Sequence, residues 1–92
     1  MNKNNDHIKK AVALKYDERD NSPSILAKGK GYIADKIVQA GNNEGIYIHK
    51  DKELLNSLMK LEIGQEIPPE LYEVIAEIIA FVYRLDKEKG EI

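Results

Sequence analysis

The sequence of 92 residues contains no cysteine, no tryptophan and a single phenylalanine. Without cysteine there can be no disulfide framework, no thiolate nucleophile and no cysteine-ligated zinc site, and a reducing compartment such as the bacterial cytosol fits best. A chain of this length forms one domain with one small core. Because 42% of the residues are hydrophobic and the net charge is only -2, the composition is typical of a folded domain.

A strong charge of one sign and long hydrophobic runs are also missing. A net charge of -2 argues against a general nucleic-acid binder, which needs a basic field to attract phosphates. The longest apolar run, residues 74–83, is interrupted by Glu77 and falls well short of the roughly 20 residues that span a bilayer. The polar first residues do not form a secretion signal. We therefore expect a cytoplasmic protein with no direct membrane insertion.

Strand-like and helix-like segments alternate along the chain. Short apolar runs predict three strands, which cover residues 11–16, 24–27 and 46–48. A break in the second strand is expected at Lys28-Gly29-Lys30-Gly31. Apolar residues spaced three and four apart predict three helices, which cover residues 33–41, 51–61 and 71–85. Asp51 is the expected N-cap of the second helix.

This order predicts an α/β fold with a small sheet of three to four strands covered by amphipathic helices. We expect a flexible N-terminal segment at residues 1–10, the folded domain at residues 11–86 and a frayed tail at residues 87–92. If the first strand lacks a neighbour on one side, its edge is open to strand addition, for example in a weak dimer.

The chain offers few groups for catalysis. His7 lies in the polar N-terminal segment and His49 follows the third predicted strand, so a metal site would require the N-terminus to fold back. No serine has a histidine at a motif-like spacing, and the lysine–glycine segment lacks the length of a phosphate-binding Walker loop. Glu70, Glu73 and Glu77 read as a solvated helix face. We therefore expect a non-enzymatic protein without cofactor or metal.

Several stretches together resemble the C-terminal cytoplasmic domain of the FlhB/YscU family, the switch proteins of type III export. These stretches are Ala11-Val12-Ala13-Leu14-Lys15-Tyr16-Asp17, Ile25-Leu26-Ala27-Lys28-Gly29 and Glu62-Ile63-Gly64-Gln65-Glu66-Ile67-Pro68, the last continuing into Leu71-Tyr72. The resemblance spans about residues 11–86. It implies the FlhB/YscU cytoplasmic-domain fold for most of the chain.

The family's self-cleavage motif is missing. Members carry Asn-Pro-Thr-His just before the first of these stretches and cleave themselves between Asn and Pro. The matching positions are Asp6, His7, Ile8 and Lys9, and no Asn-Pro pair occurs in the sequence. The family's transmembrane helices are not present in these 92 residues either. The resemblance therefore implies a stand-alone FlhB-like paralogue that lacks the cleavage motif.

The resemblance also implies a function and its partners. The expected function is an interaction module of the flagellar type III export apparatus, recruited to its cytoplasmic face. The implied partners are components of the export gate, export subunits or the hook-length control protein. Export subunits press a short hydrophobic segment onto a patch that maps, by resemblance, to Ser22, Pro23, Ala76 and Ile79. Ile79 also falls within the apolar stripe of the last helix, where it would belong to the core.

Two other functions remain open at this point. One is a self-cleaving switch with a non-standard cleavage site, for which two fragments joining near residues 6–9 would be diagnostic. The other is a small nucleic-acid-binding domain, suggested only by Lys28 and Lys30 near Tyr32. Binding of an oligonucleotide would distinguish it from the export module.

Overall fold

A computed structural model describes residues 8–17 and 19–90 of the chain. The elements, in chain order, are β1 (Lys10–Lys15), β2 (Ser24–Lys30), α1 (Tyr32–Asn43), α2 (Lys52–Met59), a 3₁₀ turn (Pro69–Leu71) and α3 (Tyr72–Gly90). The α/β class is confirmed, with a small sheet and three helices. The N-terminal segment predicted to be flexible lies outside the described residues as far as His7.

The strands β1 and β2 form an antiparallel hairpin. Their register pairs Lys10 with Lys30, and a bulge between Ala13 and Leu14 shifts the pairing by one residue. The strand β2 runs to Lys30, three residues past its predicted end at Ala27, so the expected break at Gly29 is wrong. Gly29 stays in the strand because a Cβ there would overlap the side chain of Ile33. The chain turns instead at Gly31, whose φ of 57° suits glycine.

The predicted third strand, at residues 46–48, does not form. Within the described residues the sheet has two strands, fewer than the three to four expected. After α1 the chain leaves the helix through Gly45, with a φ of 73°, and the Ile46 N–H donates to the Gly41 carbonyl at 2.8 Å. Residues 46–50 then run without regular structure, because a strand requires a bonded neighbour and none lies beside them in the described chain.

The helix α2 has a well-defined start and end. The Asp51 side chain accepts a hydrogen bond from the Leu54 N–H at 3.1 Å, which confirms the predicted N-cap. At the other end, the Lys28 ammonium of β2 donates to the carbonyls of Met59, at 3.1 Å, and Leu61, at 2.5 Å. A positive charge at a helix C-terminus is favoured by the helix dipole, so Lys28 anchors α2 to the hairpin.

The core joins β2 to α2 and α3. Its buried residues are Ile25, Leu58, Ile67 and Ile75, and partly buried neighbours pack against them, namely Val12, Leu14, Leu54, Leu61, Leu71, Val74 and Ile79. The apolar stripe predicted for the last helix therefore does face the core. The helix α3 continues to Gly90, past the predicted domain end at 86, because no glycine or proline interrupts residues 72–89. No helix among the described residues is long and apolar enough to cross a membrane.

Candidate docking surface

The described residues contain little that could support catalysis. Within residues 8–17 and 19–90, no group of three or more His, Cys, Asp or Glu side chains is placed to hold a metal ion. His49 lies 3.9 Å from Asp51, Nε2 to Oδ2, and both side chains are accessible to solvent. Of the two histidines, His7 lies outside the described residues. The surface of the chain therefore has to be examined for binding rather than for chemistry.

The predicted docking patch combines residues from two distant parts of the chain. Ser22 and Pro23 precede β2 and are both buried, with Ser22 only 5% exposed. The Pro23 carbonyl accepts hydrogen bonds from the Ile67 N–H at 3.0 Å and from the Ser22 hydroxyl at 3.4 Å. Pro23 is therefore held under the segment before the 3₁₀ turn, and the exposed proline rim that we expected is not present.

The other two residues of the patch lie on α3. Ala76 is exposed, whereas Ile79 is half-buried and packs against the core. All four predicted residues line the same open hollow, which has a volume of about 1600 Å³. The structure thus brings the four together, but only Ala76 and the outer part of Ile79 offer accessible surface. Ile79 contributes to the core and to the wall of the hollow at once.

This hollow is bounded on two sides by extended chain. One wall consists of consecutive residues 10–14, from β1, and the facing wall includes consecutive residues 46–50. The helix α3 provides a further wall through Ile75, Ala76 and Ile79 among other residues. Most of the lining is apolar, as in surfaces that bind proteins or peptides.

An aromatic group on the wall of the hollow escaped the sequence reasoning. The rings of Tyr47 and Phe81 meet edge to face with their centroids 5.6 Å apart, and the ring of His49 lies 6.2 Å from that of Tyr47. These contacts hold residues 46–50 against α3. A signal was present in the sequence, because Phe81 is the only phenylalanine and flanks the stripe of α3, but no spacing rule links it to Tyr47.

The positions that match the cleavage motif divide at the edge of the described chain. Asp6 and His7 lie outside the described residues. Ile8 is exposed, and the Lys9 ammonium forms an exposed ion pair with Asp35 at 3.0 Å. The Lys9 carbonyl accepts a hydrogen bond from the Gly31 N–H at 2.8 Å. Lys9 thus ties the start of the hairpin to the start of α1.

The only resolved shift in pKa among acidic side chains in the described chain occurs in the turn between the strands. The Arg19 guanidinium donates to both carboxylate oxygens of Asp17, at 3.1 and 3.2 Å, and the Arg19 backbone N–H also donates to it. These bonds favour the ionised form and hold the pKa of Asp17 below its ordinary value. Because both side chains are solvent-exposed, the pair organises the turn and is not a candidate acid or base.

Comparison with known proteins gives consistent matches. The model of the FlhB HrpN YscU SpaS family matches residues 4–82. The Bacillus subtilis protein YlqH is 43% identical over 81 residues, which cover 87% of each chain. The flagellar biosynthetic protein FlhB of Aquifex aeolicus is 47% identical over 74 residues, which cover 78% of this chain but only 21% of FlhB. Among solved structures, a mutated EscU C-terminal domain superimposes with a TM-score of 0.77 at 26% identity, covering 80% of this chain and 92% of that domain.

Proposed function

The chain belongs to the FlhB HrpN YscU SpaS family, and from that premise we propose that it is a non-enzymatic interaction module of the flagellar type III export apparatus. It docks export subunits or control proteins such as the hook-length control protein. The observation that carries the proposal is the open apolar hollow beside Ala76, in a chain that matches the family over residues 4–82. The matched part spans about a fifth of the length of the FlhB relatives, so their whole activity does not transfer to this chain.

We further propose that the module works as a stand-alone paralogue at the cytoplasmic face of the export gate. The match to YlqH, which extends over most of both chains, supports this view. The absence of an Asn-Pro pair from the sequence supports a module that does not cleave itself. The family's cleavage chemistry needs the asparagine amide as nucleophile, and the matching residue here is Asp6.

The docking surface that we propose is the part of the hollow formed by Ala76 and Ile79. Pro23 and Ser22 lie beneath it and fix its shape, since both are buried. The small side chain of Ala76 leaves room for an incoming apolar side chain. A few apolar contacts on such a site bury too little area for tight binding, so we expect dissociation constants of roughly micromolar or weaker. Weak binding suits an export gate that has to release each subunit quickly.

The test is the binding of a rod or hook subunit peptide to the wild type and to Ala76→Glu. The added carboxylate occupies the space beside Ile79 and would be desolvated by an apolar ligand, so we expect binding to fall by roughly tenfold or more. Fluorescence anisotropy of a labelled peptide measures the loss, and circular dichroism confirms the fold.

The matched control is Gln39→Glu, which adds a carboxylate to an exposed position of α1 outside the hollow. It should bind the peptide as the wild type does. A folded Ala76→Glu variant with unchanged affinity would remove this surface as the docking site. If the wild type binds no subunit peptide, the docking function itself is wrong.

A further inference from the structure

The hairpin has one covered edge and one open edge. Along the outer side of β2, the Ile25 N–H donates to the Gln65 carbonyl at 2.9 Å, and the Ile25 carbonyl accepts from the Gly64 N–H at 2.7 Å. In the described chain β1 has no strand on its outer side, because the sheet consists of β1 and β2 alone. An unpaired strand edge is a template for another strand.

The hydrogen bond between the Gly31 N–H and the Lys9 carbonyl sets the phase of the hairpin ladder. Since bonded and non-bonded pairs alternate in an antiparallel pair, Lys9, Ala11 and Ala13 turn their backbone polar groups towards β2. Lys10 and Val12 therefore turn theirs away from β2, to the outer edge. That edge adjoins the hollow, whose wall includes the consecutive residues 10–14.

A second extended segment faces this edge across the hollow. Residues 46–50 also line it consecutively, and side chains of an extended chain alternate between two sides. A wall of consecutive residues therefore exposes the backbone edge of its segment to the hollow. The sequence of residues 46–48 predicts a strand, yet in the described chain no neighbouring strand bonds to it. The hollow thus separates two extended segments that both lack a partner on the facing side.

We propose that the hollow receives an extended segment of a partner protein, which pairs with β1 on one side and with residues 46–48 on the other. This strand addition would complete a four-stranded sheet and form the third strand that the sequence predicts. The inference deepens the proposed function and rests on it for the class of partner, a protein of the export apparatus. It concerns a different part of the hollow from Ala76.

The charges at the edge define the chemistry of the partner segment. The apolar centre of β1, residues 11–14, is flanked by Lys9 and Lys10 at one end and by Lys15 at the other. Lys15 is exposed, and the ion pair of Lys9 with Asp35 leaves its ammonium accessible to solvent. Val12 and Leu14 pack against the core, so an incoming apolar side chain on that face meets apolar surface. The segment that fits is apolar at alternate positions and carries aspartate or glutamate at its ends.

The same charges argue against a second copy as the occupant. In an antiparallel β1–β1 pair with the bonded residues at the outer edge, the register centred on Val12 overlaps residues 9–15 of both copies. Lys9 of each copy would then lie opposite Lys15 of the other, and like charges directly opposite each other destabilise a sheet. A partner with acidic ends replaces both repulsions by attractions.

The experiment uses the full chain and a labelled peptide of about eight residues in which valine alternates with threonine and both ends carry glutamate. We expect a dissociation constant of roughly 10 to 100 micromolar by fluorescence anisotropy, because a single strand buries little area. In amide hydrogen exchange, saturating peptide should protect Lys10 and Val12 together with Tyr47 and Ile48. Protection of both segments is the signature that a ligand seated elsewhere in the hollow would not give.

Lys10→Pro tests the backbone contact. Proline at the first residue of an edge strand removes an outward N–H and spares the bonds to β2. Lys10→Ala is the matched control, because both variants lose the side chain and its 3.1 Å bond to Asn56. We expect Lys10→Pro to bind roughly threefold to tenfold more weakly than Lys10→Ala, the effect of one hydrogen bond. Equal affinity of two folded variants would overturn the proposed pairing with β1.

A peptide with lysine ends tests the charge argument. It should bind roughly threefold to tenfold more weakly than the glutamate-ended peptide, and added salt should reduce the difference. If exchange shows no protection of either segment at saturation, the strand-addition site is wrong, even where rod or hook peptides still bind at Ala76. If sedimentation shows a dimer that protects Lys10 and Val12 without peptide, the occupant is a second copy and our assignment is wrong. Protection by the peptide without binding of any export subunit would keep the site and reject the proposed function.

Discussion

The two outer edges of the hairpin differ in what covers them. Beside β2, the chain returns at residues 64–67, and Ile25, Pro23 and Ser24 bond or bridge to this segment through their backbones. Beside β1, the chain at residues 46–50 stays across an open hollow of about 1600 Å³. We refer to these as the closed edge and the open edge of the hairpin.

The comparison shows that a strand-like sequence is not enough to make a strand. Residues 46–48 carry β-favouring isoleucine and tyrosine side chains, yet they remain irregular. Residues 64–67 include a glycine and two polar residues, yet they bond to β2. What decides is the presence of a backbone partner at the right distance, because buried N–H and C=O groups must be satisfied.

The largest expected difference between the edges concerns stability. Ile25→Ala at the closed edge should lower the free energy of unfolding by about 2–5 kcal/mol, because Ile25 is 1% exposed and its truncation leaves a cavity in the core. Ile46→Ala at the open edge should change it by about 0.5 kcal/mol or less, because Ile46 is 61% exposed. Urea unfolding monitored by circular dichroism measures both. Comparable losses would mean that residues 46–50 are already packed as firmly as the closed edge.

A smaller difference is expected from two lysines of β2. Lys28→Met removes the ammonium that donates to the Met59 and Leu61 carbonyls, and should cost about 1–2 kcal/mol of stability. Lys30→Met, at the exposed end of the same strand, is the matched control and should cost less than about 0.5 kcal/mol. The same urea titration applies. If both variants unfold at the same urea concentration, the bonds of Lys28 do not hold α2 to the closed edge.

The smallest expected effect lies in the turn that joins the two edges. Arg19→Ala should raise the pKa of Asp17 towards its ordinary value, because the main stabiliser of the carboxylate is lost. Carboxyl chemical shifts in an NMR titration report this pKa. A lowered pKa in the folded state stabilises the fold above the unfolded-state pKa, and this contribution disappears as the pH falls through the folded-state pKa. The wild type should therefore exceed the variant in stability slightly at neutral pH and not at all in strong acid.

Lys15→Ala provides the comparison for that titration. Lys15 acts on Asp17 only through its charge and is the weakest of the causes, so its removal should move the pKa of Asp17 less than Arg19→Ala does. The reverse order would show that the turn is held by general electrostatics and not by the Arg19 hydrogen bonds.

Local signals in the sequence predicted much of the fold. The Asp51 N-cap, the proline at the start of the 3₁₀ turn and the apolar stripe of α3 each depend on residues a few positions apart, and each occurs as predicted. The extension of β2 through Gly29 could not be predicted in this way. It depends on the close approach of Ile33 to a position without a Cβ, which only the packed structure reveals.

The candidate site was less predictable for the same reason. The resemblance named Ser22, Pro23, Ala76 and Ile79, and all four line one hollow, but the burial of Pro23 follows from its bond to Ile67, a residue 44 positions away. The contact between Tyr47 and Phe81 likewise joins distant parts of the chain. Long-range contacts of this kind leave no periodic trace in a single sequence.

The bulge between Ala13 and Leu14 bears on how the hairpin folds. It leaves Leu26 without a partner in β1, so the pairing is offset by one residue on either side of this point. A slip of the strands by one residue would turn Ile25 out of the core and would also misplace the bulge. Competing alignments are thus penalised twice, and a hairpin that opens at its ends closes again in the same alignment. The open edge is therefore presented in a single phase, with the same N–H groups available to every partner that arrives.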